Sequence, residues 1–346
     1  MDVLAPHTLP ARLDDEAALE DLLSTPSQAL IDDLARLDGD IAVLGVAGKV
    51  GPTLARLAKR AAPDKRVIGV ARFSQPEIRE RLESWGVETI ACDLLDRDQV
   101  AALPKPANVV FMAGRKFGTT GDEPLTWAMN VLVPAIVAEA FAASRIVAIS
   151  TLCVYPFTPV ADGGAGEDTV CAPPGEYANS CIGRERAFEY AAAVHGTRGR
   201  LIRLAYAIDM RYGVLHEIAS RVRAGEPVDL ATGHLSLIWQ GDAGAQILRS
   251  LAHCATPPRP LNVTAPEIAS VRALALAFGQ RFDVEPVFRN REAETAWVMD
   301  GAEAARLFGA PIVSTETMID WTADWVARGQ PSYGRPTRYE VRDGRF

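Results

Sequence analysis

A chain of 346 residues, 48% of them hydrophobic, can bury a substantial core as one large or two unequal domains. Its net charge of −8 leaves no basic excess to neutralise phosphates, which argues against broad nucleic-acid or anionic-membrane binding. Five scattered cysteines without a C-x-x-C pair read as reduced thiols, and the five histidines lack metal-ligand spacing.

Residues 1–13 read as a tail, with no basic-then-apolar leader, so a cytoplasmic protein is expected. From Asp14 two short helices follow. Thr25, Pro26 and Gln28 fit N-cap, N1 and N3 of the second, whose stripe is Leu30, Ile31, Leu34 and Leu37. This extension, 1–38, is expected to pack on the main domain or on a second subunit.

Short apolar runs then begin at Asp40, Arg66, Glu88, Asn108 and Arg145, separated by helical stretches such as "GPTLARLAKRA" and "PEIRERLESWG". Continuously apolar strands mean that both sheet faces are covered. The expected fold class is α/β, a doubly wound parallel sheet (Rossmann) over 39–205. The most apolar stretch, from Val131, is broken by Pro134, Glu139 and Arg145, so no membrane span is expected. Residues 206–326 read as a smaller substrate-binding cap with returning strands, ending in the amphipathic helix "VSTETMIDWTADWVAR". Residues 327–346 read as an arm over the surface or a neighbouring subunit.

"LGVAGKVG" sets Gly45, Gly48 and Gly51 between a strand and a helix, with Lys49 and Val50 in the turn. Such a loop lets the backbone approach a pyrophosphate and points free N–H groups at it. The second strand ends in Ala71-Arg72, where an NAD-preferring chain has an acid. A guanidinium there suits a 2′-phosphate, so NADP is expected over NAD. Asp93, after the third strand, is placed to reach the adenine edge.

With these pieces in order, the chain resembles the extended short-chain dehydrogenase/reductase family, the nucleotide-sugar epimerase/dehydratase group. The resemblance runs from about Gly39 to Val326. It is carried by the glycine loop, "CDLLD" with Asp93 and Leu94, "FMAG" with Met112, Ala113 and Gly114, and "MNVLVP" around Asn130. It continues in "STLCVYP" from Ser150, "YANSCIGRE" from Tyr177, "LNVTAPE" and "GAEAARLFG". The resemblance implies a catalytic hydroxyl at Thr151, a proton-transferring Tyr177, a small-molecule substrate and a homodimer. It also implies a lysine four residues after the tyrosine, where this chain has Cys181.

Without a neighbouring cation, Tyr177 should stay near the usual value of about 10, a poor base at neutral pH. Three readings stay open. A different cation replaces the lysine (Arg115, Lys116 or Arg184); Cys181 takes part as a thiolate; or the protein is a silent dinucleotide-binding sensor. On the substrate side, "ATGHLSLIWQGDAG" lacks the group's arginine, with Asp242 as its acid. Arg203 is followed by Leu204, Ala205 and Tyr206 rather than the R-x-x-N pattern. Both departures disfavour a nucleotide sugar. A smaller polyol, sugar acid or lactone, met by Arg115, Lys116, Thr119, Thr120, Tyr206 and Trp239, is the expectation. His216 and His234 are further candidates for the same cleft.

Overall fold

The computed structural model describes residues 3–116, 118 and 121–345. Ten strands matter for the site: β1 (Ile41–Leu44), β2 (Val67–Ala71), β3 (Glu88–Ala91), β4 (Asn108–Phe111), β5 (Arg145–Thr151), β6 (Gly199–Leu204), β7 (Tyr206–Ile208), β8 (His234–Trp239), β9 (Arg259–Val263) and β10 (Ile268–Ser270). Seven of them form one sheet in the order β9-β6-β5-β4-β1-β2-β3, every neighbouring pair parallel. The chain starts at the centre with β1, steps outward through β2 and β3, then returns to β4 on the other side. Strand order therefore reverses beside β1, and such a switch point leaves a crevice at the carboxyl ends of the strands.

The helices are α1 (Glu16–Leu23), α2 (Gln28–Ala35), α3 (Gly51–Ala61), α4 (Pro76–Ser84), α5 (Arg97–Ala102), α6 (Glu123–Trp127), α7 (Val133–Ala140), α8 (Glu176–His195), α9 (Val214–Ala224), α10 (Gln240–Arg249), α11 (Val271–Phe282), α12 (Ala302–Phe308) and α13 (Thr315–Ala327). Two cores cover the faces of the sheet. Leu54, Leu57, Ile247 and Leu251 lie on one side, and Val133, Val137, Phe141 and Phe188 on the other. β1 and β2 are buried along their whole length, which is why they read as unbroken apolar runs.

The cap is a three-stranded sheet, β10-β8-β7, with α9, α11 and α13 around a core of Leu215, Ile218, Leu237, Phe278 and Trp325. The 206–326 segment does not stay there. β9 returns to the edge of the main sheet, and α10 packs on α2 and α3.

Two local expectations are corrected. Residues 3–13 are no tail: Leu4 and Leu13 are buried in the cap core, and the Leu4 N–H donates to the Pro26 carbonyl. The second helix starts at Gln28, capped by the Ser27 hydroxyl, which accepts from the Leu30 N–H. Thr25 instead donates to the Asp21 carbonyl and closes α1. The two helices clamp the halves together, Leu19 and Leu23 entering the cap core and Leu30 and Leu34 the sheet core. The C-terminal arm runs over the molecule's own surface. Thr337 bonds Glu217, Tyr339 is buried, and Arg342 lies 4.1 Å over the Phe157 ring. Gly344 packs backbone to backbone on Gly175, just ahead of α8.

Candidate active site

The glycine loop joins β1 to α3. Gly45 has φ +88, and a Cβ there would stand 2.6 Å from the Ala113 nitrogen. A Cβ on Gly51 would stand 2.2 Å from the Val46 carbonyl oxygen. A Cβ on Gly48 would meet only the Gly45 carbonyl oxygen, at an ordinary 3.6 Å. Two glycines thus fold the loop tightly and the third leaves a cradle at the start of an eleven-residue helix.

On one side of the cradle lies a cleft of about 250 Å³ lined by Gly45, Gly48, Arg72, Asp93, Leu94, Met112, Ala113 and Gly114. Phe73 and Met129 line it too and were not legible as site residues; Phe73 has φ +49, an unusual backbone state for an aromatic residue. Asp93 is partly committed, its carboxylate accepting from the Leu95 N–H at 3.0 Å. The donor set fits a dinucleotide: a glycine cradle for the pyrophosphate, a guanidinium at the end of β2, and an acid at the end of β3.

Across the loop a second cavity, about 280 Å³, is walled by Lys49, Val50, Gly114, Arg115, Lys116, Ser150, Thr151, Tyr177, Arg184 and Tyr206. β5 ends at Thr151, and Tyr177 sits in the first turn of α8. Burial pushes the Tyr177 phenol well above its ordinary value, as do the Cys181 and Cys153 thiols; Arg184 and a hydrogen bond with Thr151 oppose them.

Cys181 lies one helical turn beyond Tyr177 and is fully buried. Burial raises its thiol to about 11, so it brings no charge at neutral pH, against the thiolate reading. Arg184, two turns beyond Tyr177, is a cation whose field acts on the phenol, opposing its burial. Its guanidinium is buried, donating to the Ile149 carbonyl at 2.7 Å and to Asn130 Oδ1 at 2.6 Å. A π-helical turn over Ala128–Leu132 places Asn130, which also holds the Arg115 backbone and Ser180. Gly114 makes room: a Cβ there would meet Arg184 Nη2 at 2.2 Å.

The other cations divide. Arg115 lines the cavity but turns its guanidinium to Asp122 (2.5 Å) and the Gly118 carbonyl (2.7 Å). Lys116 stands 5.9 Å from the Tyr206 ring centre, and burial lowers its ammonium while the Cys153 and Cys181 thiols act to raise it.

Beneath the cavity is a buried network whose partners lie far apart in sequence. Glu185 accepts from Ser150 (2.5 Å) and from Arg203 (2.8 and 3.1 Å). Arg203 also donates to the Tyr155 hydroxyl (2.8 Å), which donates to Asn262 (2.7 Å). It ties β5, β6, β9 and α8 together and fixes the end of β5 against the tyrosine helix.

Several expected residues are not in the cavity. Trp239 is fully buried, edge-on to Trp321 in the cap core. Thr119 and Thr120 lie outside the described residues. His216 and Arg335 line a separate groove, and His234 is near enough to Glu292 to act on its carboxylate. Asp242 is buried in α10, accepting from the Val313 N–H. Among the described residues no group of three or more His, Cys, Asp or Glu is placed to hold a metal, and no helix is long and apolar enough to cross a membrane.

A glycine cradle at the switch point of a parallel sheet, facing a Thr–Tyr pair, defines a nucleotide-binding fold of the extended short-chain dehydrogenase/reductase type. Residues 41–251 match the NAD dependent epimerase/dehydratase family, and the chain belongs to it. Among solved structures it is similar to the UDP-glucose 4-epimerase of Thermus thermophilus in complex with NAD (20% identity, 82% of this chain and 98% of that one, TM-score 0.68). It is also similar to the UDP-glucuronic acid 4-epimerase of Bacillus cereus with UDP-glucuronic acid and NAD (17%, 84% and 99%, 0.69). MoeE5 in complex with UDP-glucuronic acid and NAD aligns equally broadly (18%, 84% and 99%, 0.68). At these identities the likeness concerns the fold. A search of the curated proteins finds no match.

Proposed function

We propose that the chain is an NAD(P)-dependent oxidoreductase or epimerase, preferring NADP, that acts on a small sugar-like polyol, sugar acid or lactone. The observation that carries this reading is the shared cavity: Thr151, Tyr177 and the Arg184 charge stand together beside Lys49 and Val50 of the cradle. A bound dinucleotide would supply or accept the hydride. Tyr177 is held protonated, the state that donates a proton to a carbonyl oxygen, and Thr151 hydrogen-bonds the same oxygen and fixes it. Arg184 favours the phenolate left behind. Arg72 beside the adenosine cleft supports NADP.

Exposed Leu125, Trp127 and Leu132 on the α6–α7 segment and Tyr190 and Val194 on the adjoining α8 support a homodimer across these helices. A cytoplasmic setting accords with five unpaired cysteines.

Two other readings have observations behind them. The fold neighbours carry UDP-sugars in their names, which favours a nucleotide-sugar substrate. The raised Tyr177 and the uncharged Cys181 favour a silent dinucleotide binder. One assay separates them: consumption of NADPH and NADH, together with epimer formation at constant cofactor, on small sugars, sugar acids, keto-sugars and lactones and on UDP-sugars and their 4-keto forms, in the wild type and Tyr177→Phe. The proposal expects reduction or epimerisation of the small compounds, lower by roughly 10²-fold or more in the variant. Turnover with UDP-sugars alone supports the second reading. Tight dinucleotide binding without turnover supports the third.

A further inference from the structure

The glycine loop carries a charge that a cradle for pyrophosphate does not need. The backbone of Lys49 belongs to the cradle, but its side chain crosses the cleft, and Nζ donates to the Ala207 carbonyl of β7 at 3.0 Å. The ammonium stands 4.3 Å over the Tyr212 ring. An ammonium has three donors, and a charge taken out of water is costly unless paired. No carboxylate pairs with Lys49 among the described residues. The acid whose field it feels, Asp209, is committed to Arg211 (2.8 and 3.1 Å). Burial lowers the ammonium to about 8, and Arg211 and Lys116 push it the same way.

Its place matters as much as its charge. Lys49 and Tyr212 wall both the Tyr177 cavity and a larger one of about 620 Å³. The larger cavity is lined by the cations Arg81, Arg211 and Arg335 and by the acids Glu16 and Glu77. Lys49 is therefore the gatepost between the reacting centre and an antechamber.

We propose that Lys49 is an anion anchor, binding the carboxylate or phosphate of a substrate whose reacting carbon lies at Tyr177 and whose remainder extends toward the antechamber. The word substrate rests on the oxidoreductase reading; the anion site does not. The anchor selects sugar acids or sugar phosphates over neutral polyols. The ammonium regains the opposite charge it lacks, so binding draws a proton onto Lys49 wherever it is partly deprotonated.

The test is carried out on the full chain with ¹³C-labelled lysine, the Lys49 signal being assigned by its loss in Lys49→Met. The protein is saturated with NADP⁺ and titrated with glucuronate, gluconate, glucose 6-phosphate and, as neutral control, glucose. At least one anion should move the Lys49 titration up toward the ordinary lysine value, and glucose should not. Affinity for that anion should fall about tenfold in Lys49→Met and be retained in Lys49→Arg. Lys49→Arg supplies the assignment if the methionine variant does not fold.

If none of the three anions moves the signal, the anchor is wrong. If NADP⁺ alone moves it fully and the anions add nothing, pyrophosphate is the partner and the substrate anchor is again wrong. Anion binding in a protein that neither consumes NADPH nor forms an epimer would keep the anchor and remove the oxidoreductase or epimerase reading.

Discussion

The two ends of the cleft are built on different physical foundations. At the glycine loop the site is made of backbone: a tight turn, a helix start and the space left by absent side chains. At Tyr177 it is made of side-chain charge, and the position that would hold an ammonium holds a buried thiol. The pyrophosphate cradle, being backbone, tolerates most side-chain substitutions that respect its glycines. An electrostatic site changes when one residue changes, and here the Arg184 charge, from one turn beyond Cys181 along α8, opposes the burial of the phenol without cancelling it. The lesson is that binding and chemistry can be lost separately in this fold.

The sharpest way to break the tyrosine end is through what supports it. In Glu185→Ala the Arg203 guanidinium stays buried without its carboxylate, and Ser150 loses its acceptor. Removing one partner of a buried pair costs roughly 3–5 kcal/mol, so chemical denaturation should show a loss of that order. If the loss stays under about 1 kcal/mol, the network does not hold β5 against α8. The loop end is challenged by Gly51→Ala, whose Cβ would meet the Val46 carbonyl oxygen. Backbone must shift, at about 3 kcal/mol. Dinucleotide affinity, read by calorimetry, should fall with it, whereas Glu185→Ala should spare binding in the protein that remains folded.

The contrast also marks what could be read from the chain alone. The sheet was legible because β1 and β2, buried on both faces, leave uninterrupted apolar runs, and because glycine spacing is a local property. Thr151 and Tyr177 were legible through short motifs. Cys181 was visible as a gap, but how the candidate cations are held was not, since Arg184 is fixed through Asn130 and a π-helical turn that no local pattern announces. Trp239 was misplaced for a related reason. An aromatic residue at the end of a strand can face a cleft or a core, and the contact with Trp321, 82 residues on, decides it. The cap of α2 went to Ser27 because Thr25 finds a carbonyl in the preceding helix.

A buried charge outside the cleft gives a control for both ends. Asp242 has no cation paired with it among the described residues, and burial raises it to about 6, opposed by the N–H groups of Val313 and Ile312. The folded state then holds its proton more tightly than the unfolded chain, whose value is near 3.9. Its favourable contribution is complete below about 3.9 and is lost as pH rises through 6. Asp242→Asn should therefore match the wild type at pH 4 and exceed it by about 2 kcal/mol at pH 7. A constant difference across that range would mean that the carboxylate is better solvated than its burial implies.

The smallest effect tests the finest claim, the choice of phosphate at the loop end. Arg72 follows β2 and lines the smaller cleft together with Ser74 and Gly48. A guanidinium paired with a 2′-phosphate is a charge-assisted contact at an exposed rim, worth about 1.4 kcal/mol. Arg72→Ser should weaken NADPH binding about tenfold and leave NADH nearly unchanged, because NADH has only a hydroxyl at that position. Fluorescence titration of both reduced cofactors, at two salt concentrations, measures this directly; the NADPH arm alone should be salt-sensitive. Equal loss for both would make Arg72 a support for the loop rather than a reader of the phosphate. Any preference for NADP would then have to come from Gln75, Arg81 and Arg335 in the neighbouring antechamber, where Arg81 already answers to Glu20.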